Sequence, residues 1–225
     1  MHTFSVIPLA LLTQPYFRAD VPRYIPYATI GLIFTHEMLH AFDLTGIRYD
    51  GNGEPKEWFS PESRLRLEAR LDCVARQYAA TFSKKVSFKG ANVDVQVKRS
   101  SNVPLTCHPV LSQFDWNVTR NEDMADISGL QIAYRAWSSL QEGDAADLRL
   151  PGLNLNTRQL FFLNAAQTYC SHLSPEDYIV LVEMDFHTPF PERVNGIMMN
   201  SPSFAEAYNC PIGSPMNPTR KCSTW

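Results

Sequence analysis

The stretch His36-Glu37-Met38-Leu39-His40 decides how this chain is read. On a helix, residues four apart share a face, so His36 and His40 can direct both imidazoles at one metal ion. Glu37, one position on from His36, lies where a carboxylate can hold and deprotonate a metal-bound water. From Tyr27 to Phe42 the apolar residues Ile30, Ile33, Phe34, Met38 and Ala41 recur at helical spacing, which predicts one long buried helix carrying the motif. The competing reading is an amphipathic helix whose histidines are merely hydrogen-bonded. A third ligand separates the two.

Asn121-Glu122-Asp123-Met124-Ala125-Asp126 supplies it. Glu122 and Asp126 are four apart in a helical pattern that runs from Asn121 to Leu140 through Met124, Ile127, Leu130, Ile132, Ala133 and Trp137. An acidic pair at this spacing is usually a solvated helix face. After an HExxH helix, and with apolar residues directly following, it reads instead as one carboxylate on the metal and a second orienting a ligating imidazole. Two histidines and one glutamate leave a fourth position open for water, which is the catalytic arrangement rather than the closed structural one.

The composition fits such a protein and excludes others. At 225 residues, 44% hydrophobic and 19% charged, the chain is long enough for one sizeable domain and is not disordered in bulk. The net charge of −3 and the lack of any long basic run argue against nucleic acid or an anionic membrane surface. Five widely spaced cysteines with no CxxC pair suit disulfides or buried thiols rather than a structural zinc site. Asn117-Val118-Thr119 is an acceptable N-glycosylation sequon. The apolar run Val6 to Leu12 is interrupted by Pro8, lacks a preceding Lys or Arg and is too short to span a bilayer, so it is expected to belong to the folded body.

Outward from the motif, Gly46 and Gly51-Asn52-Gly53 end the first helix. Ser60-Pro61-Glu62 starts a second, running to about Phe82 on Leu65, Leu67, Leu71, Val74 and Tyr78. Residues 84–117 read as a β-hairpin, with Val86 and Phe88 then Val93, Val95 and Val97 alternating about Lys89-Gly90-Ala91-Asn92, followed by a loop through Pro104, Cys107 and Pro109. Further helices are predicted from Thr157 to about Cys170 and from Pro175 to about Met184, with short elements only beyond His187. The balance is mainly α.

Several ordered blocks now carry a resemblance. They are His36 to Asp43; Asn121 to Asp126 with Gly129-Leu130; Ala133-Tyr134-Arg135-Ala136; Leu150-Pro151-Gly152-Leu153; Gln159-Leu160-Phe161-Phe162; Arg193-Val194-Asn195-Gly196; Met216-Asn217-Pro218; and Lys221-Cys222 before a terminal Trp225. Together they resemble the catalytic half of the neprilysin and endothelin-converting-enzyme family of zinc metallopeptidases, almost end to end. The resemblance implies a gluzincin (thermolysin-like) catalytic lobe holding one Zn2+ on His36, His40 and Glu122, with Glu37 as general base. It implies Asp126 and Asp43 as carboxylates behind the zinc ligands, and His187 with Arg193 as donors to substrate and oxyanion. Leu32, Ile33, Tyr169 and Val194 fall where the family forms its pocket for the residue after the cleaved bond, Tyr169 replacing a usual tryptophan. Cys73 should bond Cys222, Cys170 and Cys210 should pair outside this chain, and Cys107 has no counterpart.

Family members are much longer. The resemblance therefore places residues 1–225 as one N-terminally truncated catalytic domain with 84–117 as an inserted segment, starting at a Pro-rich block matched by Pro8 to Phe17. A helical lobe covering the site, a membrane anchor or signal, and the Asn-Ala-aromatic segment that aligns substrate are expected outside it, and a homodimer stays open. Ser128 and Asn121 stand where the family has glycine, and Ser128 matters if that backbone must approach another. The implied function is an extracellular endopeptidase cutting oligopeptides before hydrophobic residues. The alternatives are a catalytically silent zinc-binding paralogue acting as a binding module, and a helical module whose HExxH is a relic.

Overall fold

A computed structural model of the chain describes residues 6–82, 84–88, 91–95, 116–140 and 150–223. Its elements are predominantly helical: α1 Tyr24–Ala28, α2 Ile30–Leu39, α3 Pro61–Thr81, α4 Trp116–Ser138, α5 Thr157–Gln167, α6 Pro175–Met184, α7 Phe190–Met199 and α8 Pro202–Ala207. Strands β1 Lys84–Phe88 and β2 Ala91–Val95 pair antiparallel with Val86 opposite Val93, the expected hairpin. Cys107 and the loop through Pro104 and Pro109 lie outside the described residues. The chain is mainly α, as read from its periodicity.

Helix α4 is the axis of the fold. Leu130, Ala133 and Trp137 join one buried cluster with Leu32, Leu160, Phe161, Phe162 and Ile197. Ile127 joins a second with Val74, Tyr78, Tyr178, Val182 and Met199, and Met124 a third with Ile47, Leu67 and Leu71. Serving three clusters, α4 is buried on every side from residue 122 to residue 130. Its acidic run is therefore no solvated face. Helices α2 and α3 pack against it most extensively.

Local chemistry starts and stops the elements as the residue types require. Ser60 caps α3 by accepting the Ser63 N–H at 3.1 Å, with Pro61 and Glu62 in the first turn. Ser174 does the same for α6 through Asp177, and Asn156 with Gln159 forms a capping box on α5. Cys73 and Cys222 form a disulfide that ties α3 to the C-terminal segment across 149 residues. Cys170 and Cys210 are free thiols.

Four expectations need correction. The helix over Tyr27 to Phe42 is not continuous: Thr29 leaves helical geometry, its hydroxyl reaching the carbonyls of Ile25 and Tyr16, and His40–Phe42 tightens into a 3-10 turn. Within it Leu32, His36 and Leu39 are the buried residues, while Phe34 and Met38 face outward. The run at Val6 to Leu12 forms a 3-10 turn over Leu9–Leu12 that buries none of its side chains, leaving Val6, Leu9 and Leu12 exposed among the described residues. Beyond His187 lies a ten-residue helix, α7, whose Pro189–Pro191 start hid it from the periodicity, proline being favoured in a first turn. Among the described residues no helix is long and apolar enough to cross a membrane.

Candidate metal centre

Helices α2 and α4 approach most closely at the motif. A Cβ on Gly129 would lie 3.1 Å from the His36 nitrogen and 3.3 Å from its Cα, and the Thr35 hydroxyl donates to the Gly129 carbonyl at 2.9 Å. Gly129, not position 128, is the point of close backbone approach, so Ser128 is accommodated beside it, buried. This contact sets His36 against Glu122 and Asp126, which α4 presents one turn apart.

Three donor atoms converge there. His36 Nε2 is 3.0 Å from His40 Nε2 and 3.1 Å from Glu122 Oε2, and His40 Nε2 is 3.4 Å from the same oxygen. Ligands about 2.0–2.1 Å from a tetrahedral zinc stand about 3.3 Å from one another, so the trio already has the edges of such a site. Glu122 Oε2 is buried with the Nε2 atoms of His36, His40 and His187 at 3.1–3.4 Å, an arrangement that a divalent cation would satisfy. A second trio, His36, Glu122 and His187, also has its donor atoms within 4.8 Å of one another. The first fits zinc better, since all three of its edges, 3.0–3.4 Å, are near the ideal.

Those carboxylates fix which nitrogen faces inward. His40 Nδ1 lies 2.9 Å from Asp43 Oδ2, and the other Asp43 oxygen accepts the Thr45 and Gly46 N–H groups at 2.7 Å each. His36 Nδ1 lies 2.8 Å from Asp126 Oδ1, somewhat off the line of its N–H. A proton held on each Nδ1 leaves each Nε2 lone pair free. Asp126 is itself gripped: Arg193 donates through Nε to Oδ2 at 2.5 Å and through Nη2 to Oδ1 at 2.8 Å. The Tyr169 hydroxyl donates to Asp126 at 3.2 Å, and the guanidinium carbon sits 4.7 Å above the Tyr169 ring.

His187 reaches the same oxygen from the α6–α7 connection, its Nε2 3.1 Å from Glu122 Oε2. Asp185, which the sequence reading missed, contacts His187 Nδ1 at 2.8 Å and accepts its backbone N–H at 3.0 Å. The two-residue spacing of Asp185 and His187 was the available signal. Glu37 projects from α2 and is exposed. Leu32 is fully buried in the core, whereas Ile33, Tyr169 and Val194 are half-buried. Asn117 stands in the first turn of α4, and Thr119 of its sequon is buried with its hydroxyl on Asp123.

The charges are mutually dependent. Burial works against a charged His36, yet the carboxylates of Asp126 and Glu122 push it up to about 9. Asp43, with Glu122, pushes His40 up to about 10. Burial would raise Glu122, but hydrogen bonds from His187, His36 and His40 hold it well below the usual carboxylate range. Burial likewise opposes ionised Asp126, and the Arg193 charge with His36 pulls it down to about 2. Anionic carboxylates facing nitrogen lone pairs that bind protons this well form a donor set suited to a divalent cation.

The chain is 34% identical to neprilysin-1 of Caenorhabditis elegans over 220 residues, covering 97% of itself and 26% of that protein. It is 33% identical to endothelin-converting enzyme 1 of Rattus norvegicus, again covering 26% of the relative. The chain thus spans about a quarter of the length of these relatives. Its fold matches the Mycobacterium tuberculosis zinc metalloprotease ZMP1 in its open state with a TM-score of 0.76, at 26% identity over 98% of this chain and 31% of that one. A Haemonchus galactose-containing glycoprotein complex matches at a TM-score of 0.78 and 25% identity, over 97% of this chain and 33% of its own. The family model for peptidase family M13 matches residues 1–224, and the chain belongs to that family.

Proposed function

We propose that this chain is the metal-binding part of a zinc-dependent endopeptidase that hydrolyses oligopeptides on the amino side of hydrophobic residues. The observation that carries the reading is the meeting of His36 Nε2, His40 Nε2 and Glu122 Oε2 at 3.0–3.4 Å, with a carboxylate behind each imidazole. His36, His40 and Glu122 would hold one zinc ion, which supplies Lewis acidity toward a peptide carbonyl and its attacking water. Asp43 and Asp126 orient the two histidines. Glu37, exposed beside the ligands, takes a proton from the attacking water and returns one to the leaving amine. His187, held by Asp185, and the guanidinium N–H groups that Arg193 does not spend on Asp126 are donors for the oxyanion. Ile33, Tyr169 and Val194, above Leu32, line the pocket for the residue after the cleaved bond.

The Cys73–Cys222 disulfide supports an oxidising, extracellular setting, in which Asn117 is a glycosylation site. Phe34, Met38 and Phe42, at 43%, 52% and 43% exposure on and after the motif helix, support a covering lobe that encloses the substrate. The test is hydrolysis of a quenched fluorescent peptide together with metal analysis. One zinc per chain, with cleavage abolished by a chelator and by Glu37→Gln, is the expected result. One zinc without turnover would instead identify a zinc-binding module, and no bound zinc would defeat both.

A further inference from the structure

Asp123 lies between Glu122 and Asp126 on α4 and has no part in the metal centre. It is completely buried, which for a carboxylate requires specific partners. Among the described residues it has two, both threonine hydroxyls. The Thr119 hydroxyl, one turn earlier on α4, donates to Oδ2 at 2.9 Å. The Thr188 hydroxyl donates to Oδ1 at 2.6 Å from 65 residues away. Thr119 and Thr188 are themselves buried, at 1% and 2% exposure, so neither bond is in competition with bulk water.

The second bond spans the site. Thr188 directly follows His187, in the connection between α6 and α7, and α7 carries Arg193. Asp123 directly follows Glu122 on α4. The Asp123–Thr188 bond therefore ties the backbone that carries His187 to the backbone that carries Glu122, beside the point where His187 Nε2 meets Glu122 Oε2 at 3.1 Å. Asp185, half-buried, fixes the rotation of the His187 ring from within its own loop. The Thr188 hydroxyl makes the fully buried bond between that loop and α4, beside the more open His187–Glu122 contact.

We propose that Asp123 and Thr188 form a buried latch that positions His187 over the metal centre, making both of them positioning residues of the site. The inference rests on the peptidase reading for its effect on catalysis, but the placement of His187 is measurable without turnover. In the zinc-loaded chain, long-range 1H–15N spectra report the imidazole of His187, assigned by its loss in His187→Gln. Thr188→Val keeps the shape and removes the hydroxyl; it should shift or broaden the His187 signals while zinc stays at one per chain. Thr188→Ser, which keeps the hydroxyl, should restore them.

If the chain cleaves peptides, Thr188→Val should lower kcat about 10- to 100-fold with a much smaller change in KM, since a misplaced donor fails chiefly in the transition state. Thr188→Ser should recover most of that loss. His187 signals that superimpose in Thr188→Val and the parent chain would overturn the latch, whatever the activity. An inactive parent chain whose His187 signals do move would leave the latch standing and remove the peptidase reading alone.

Discussion

Gly46 is the position where one methyl group should do most damage to the metal centre. A Cβ there would lie 1.9 Å from the His40 carbonyl oxygen and 2.7–2.8 Å from the Ala41 carbonyl carbon and Cα, all backbone atoms that no side-chain rotation can clear. Gly46→Ala must therefore push residues 43–46 away from the end of the motif helix. That movement breaks the N–H bonds from Thr45 and Gly46 to Asp43, each 2.7 Å, and with them the hold of Asp43 on His40 Nδ1. Backbone displacement by overpacking costs about 1–3 kcal/mol. Two hydrogen bonds to a charged acceptor add roughly 1–1.5 kcal/mol each where water partly replaces them. We expect a total of about 3–6 kcal/mol, which for a chain of this size lowers Tm by about 6–24 °C. Losing the carboxylate behind a ligating imidazole should also weaken zinc about 10- to 100-fold in a competition titration against a chelating dye. Gly51→Ala is the control, because a Cβ there meets nothing within 4 Å and should stay within about 0.5 kcal/mol. If Gly46→Ala melts and binds zinc like Gly51→Ala, the described path from Gly46 through Asp43 to His40 is wrong.

Asp126→Asn leaves the buried Arg193 guanidinium without its bidentate carboxylate, so urea melts should show a loss of about 3–5 kcal/mol; a loss under 1 kcal/mol would mean that Arg193 is satisfied elsewhere. Replacing Cys73 and Cys222 together by alanine opens a loop of 149 residues, and chain entropy sets the loss at up to about 5 kcal/mol; unchanged urea midpoints with and without reductant in the parent chain would contradict it. The Asp123 carboxyl is pushed up to about 8 by burial, against the Thr188 bond and with the nearby Asp126 charge adding. A folded-state pKa above the unfolded value gives stability that is complete below about pH 3.8 and lost as pH rises through about 8. Asp123→Asn cannot ionise and keeps an acceptor for Thr188, so in the metal-free chain its Tm should gain on the parent's as pH rises from 6 to 9; a constant difference would refute the shift.

What the sequence shows and hides follows from the range of each interaction. His36 and His40 are legible because helical geometry fixes their spacing, and Glu122 with Asp126 for the same reason. The helix cap at Ser60 is legible because a cap is chemistry within three residues. The break at Thr29 is not, because it depends on a hydroxyl reaching Tyr16 as well as its own turn. Periodicity also misjudges α2, since a helix covered on one side by α4 and bare on the other buries Leu32, His36 and Leu39 while leaving Phe34 and Met38 outside.

The harder case is α4. Glu122, Asp123 and Asp126 within five residues would mark a solvated face on any scale of hydropathy, yet none is more than 8% exposed. Three buried carboxylates are tolerable only with partners, and apart from Thr119, one turn earlier on α4, those partners come from other elements. Arg193 comes from 67 residues away, Thr188 from 65 and Tyr169 from 43, while His36 and His40 come from α2. None of these pairings has a spacing that a helix or strand imposes, so no periodic pattern announces them. The same distances explain why the site is rigid once formed. α2, α4, the segment ending α5 and the α6–α7 region each place a side chain on the acidic run, so those elements cannot separate without exposing or unpairing a buried charge. A patch of sequence that looks like surface is thereby the place where the fold is most tightly specified, and a metal bound there would draw its affinity from four separate segments of the chain at once.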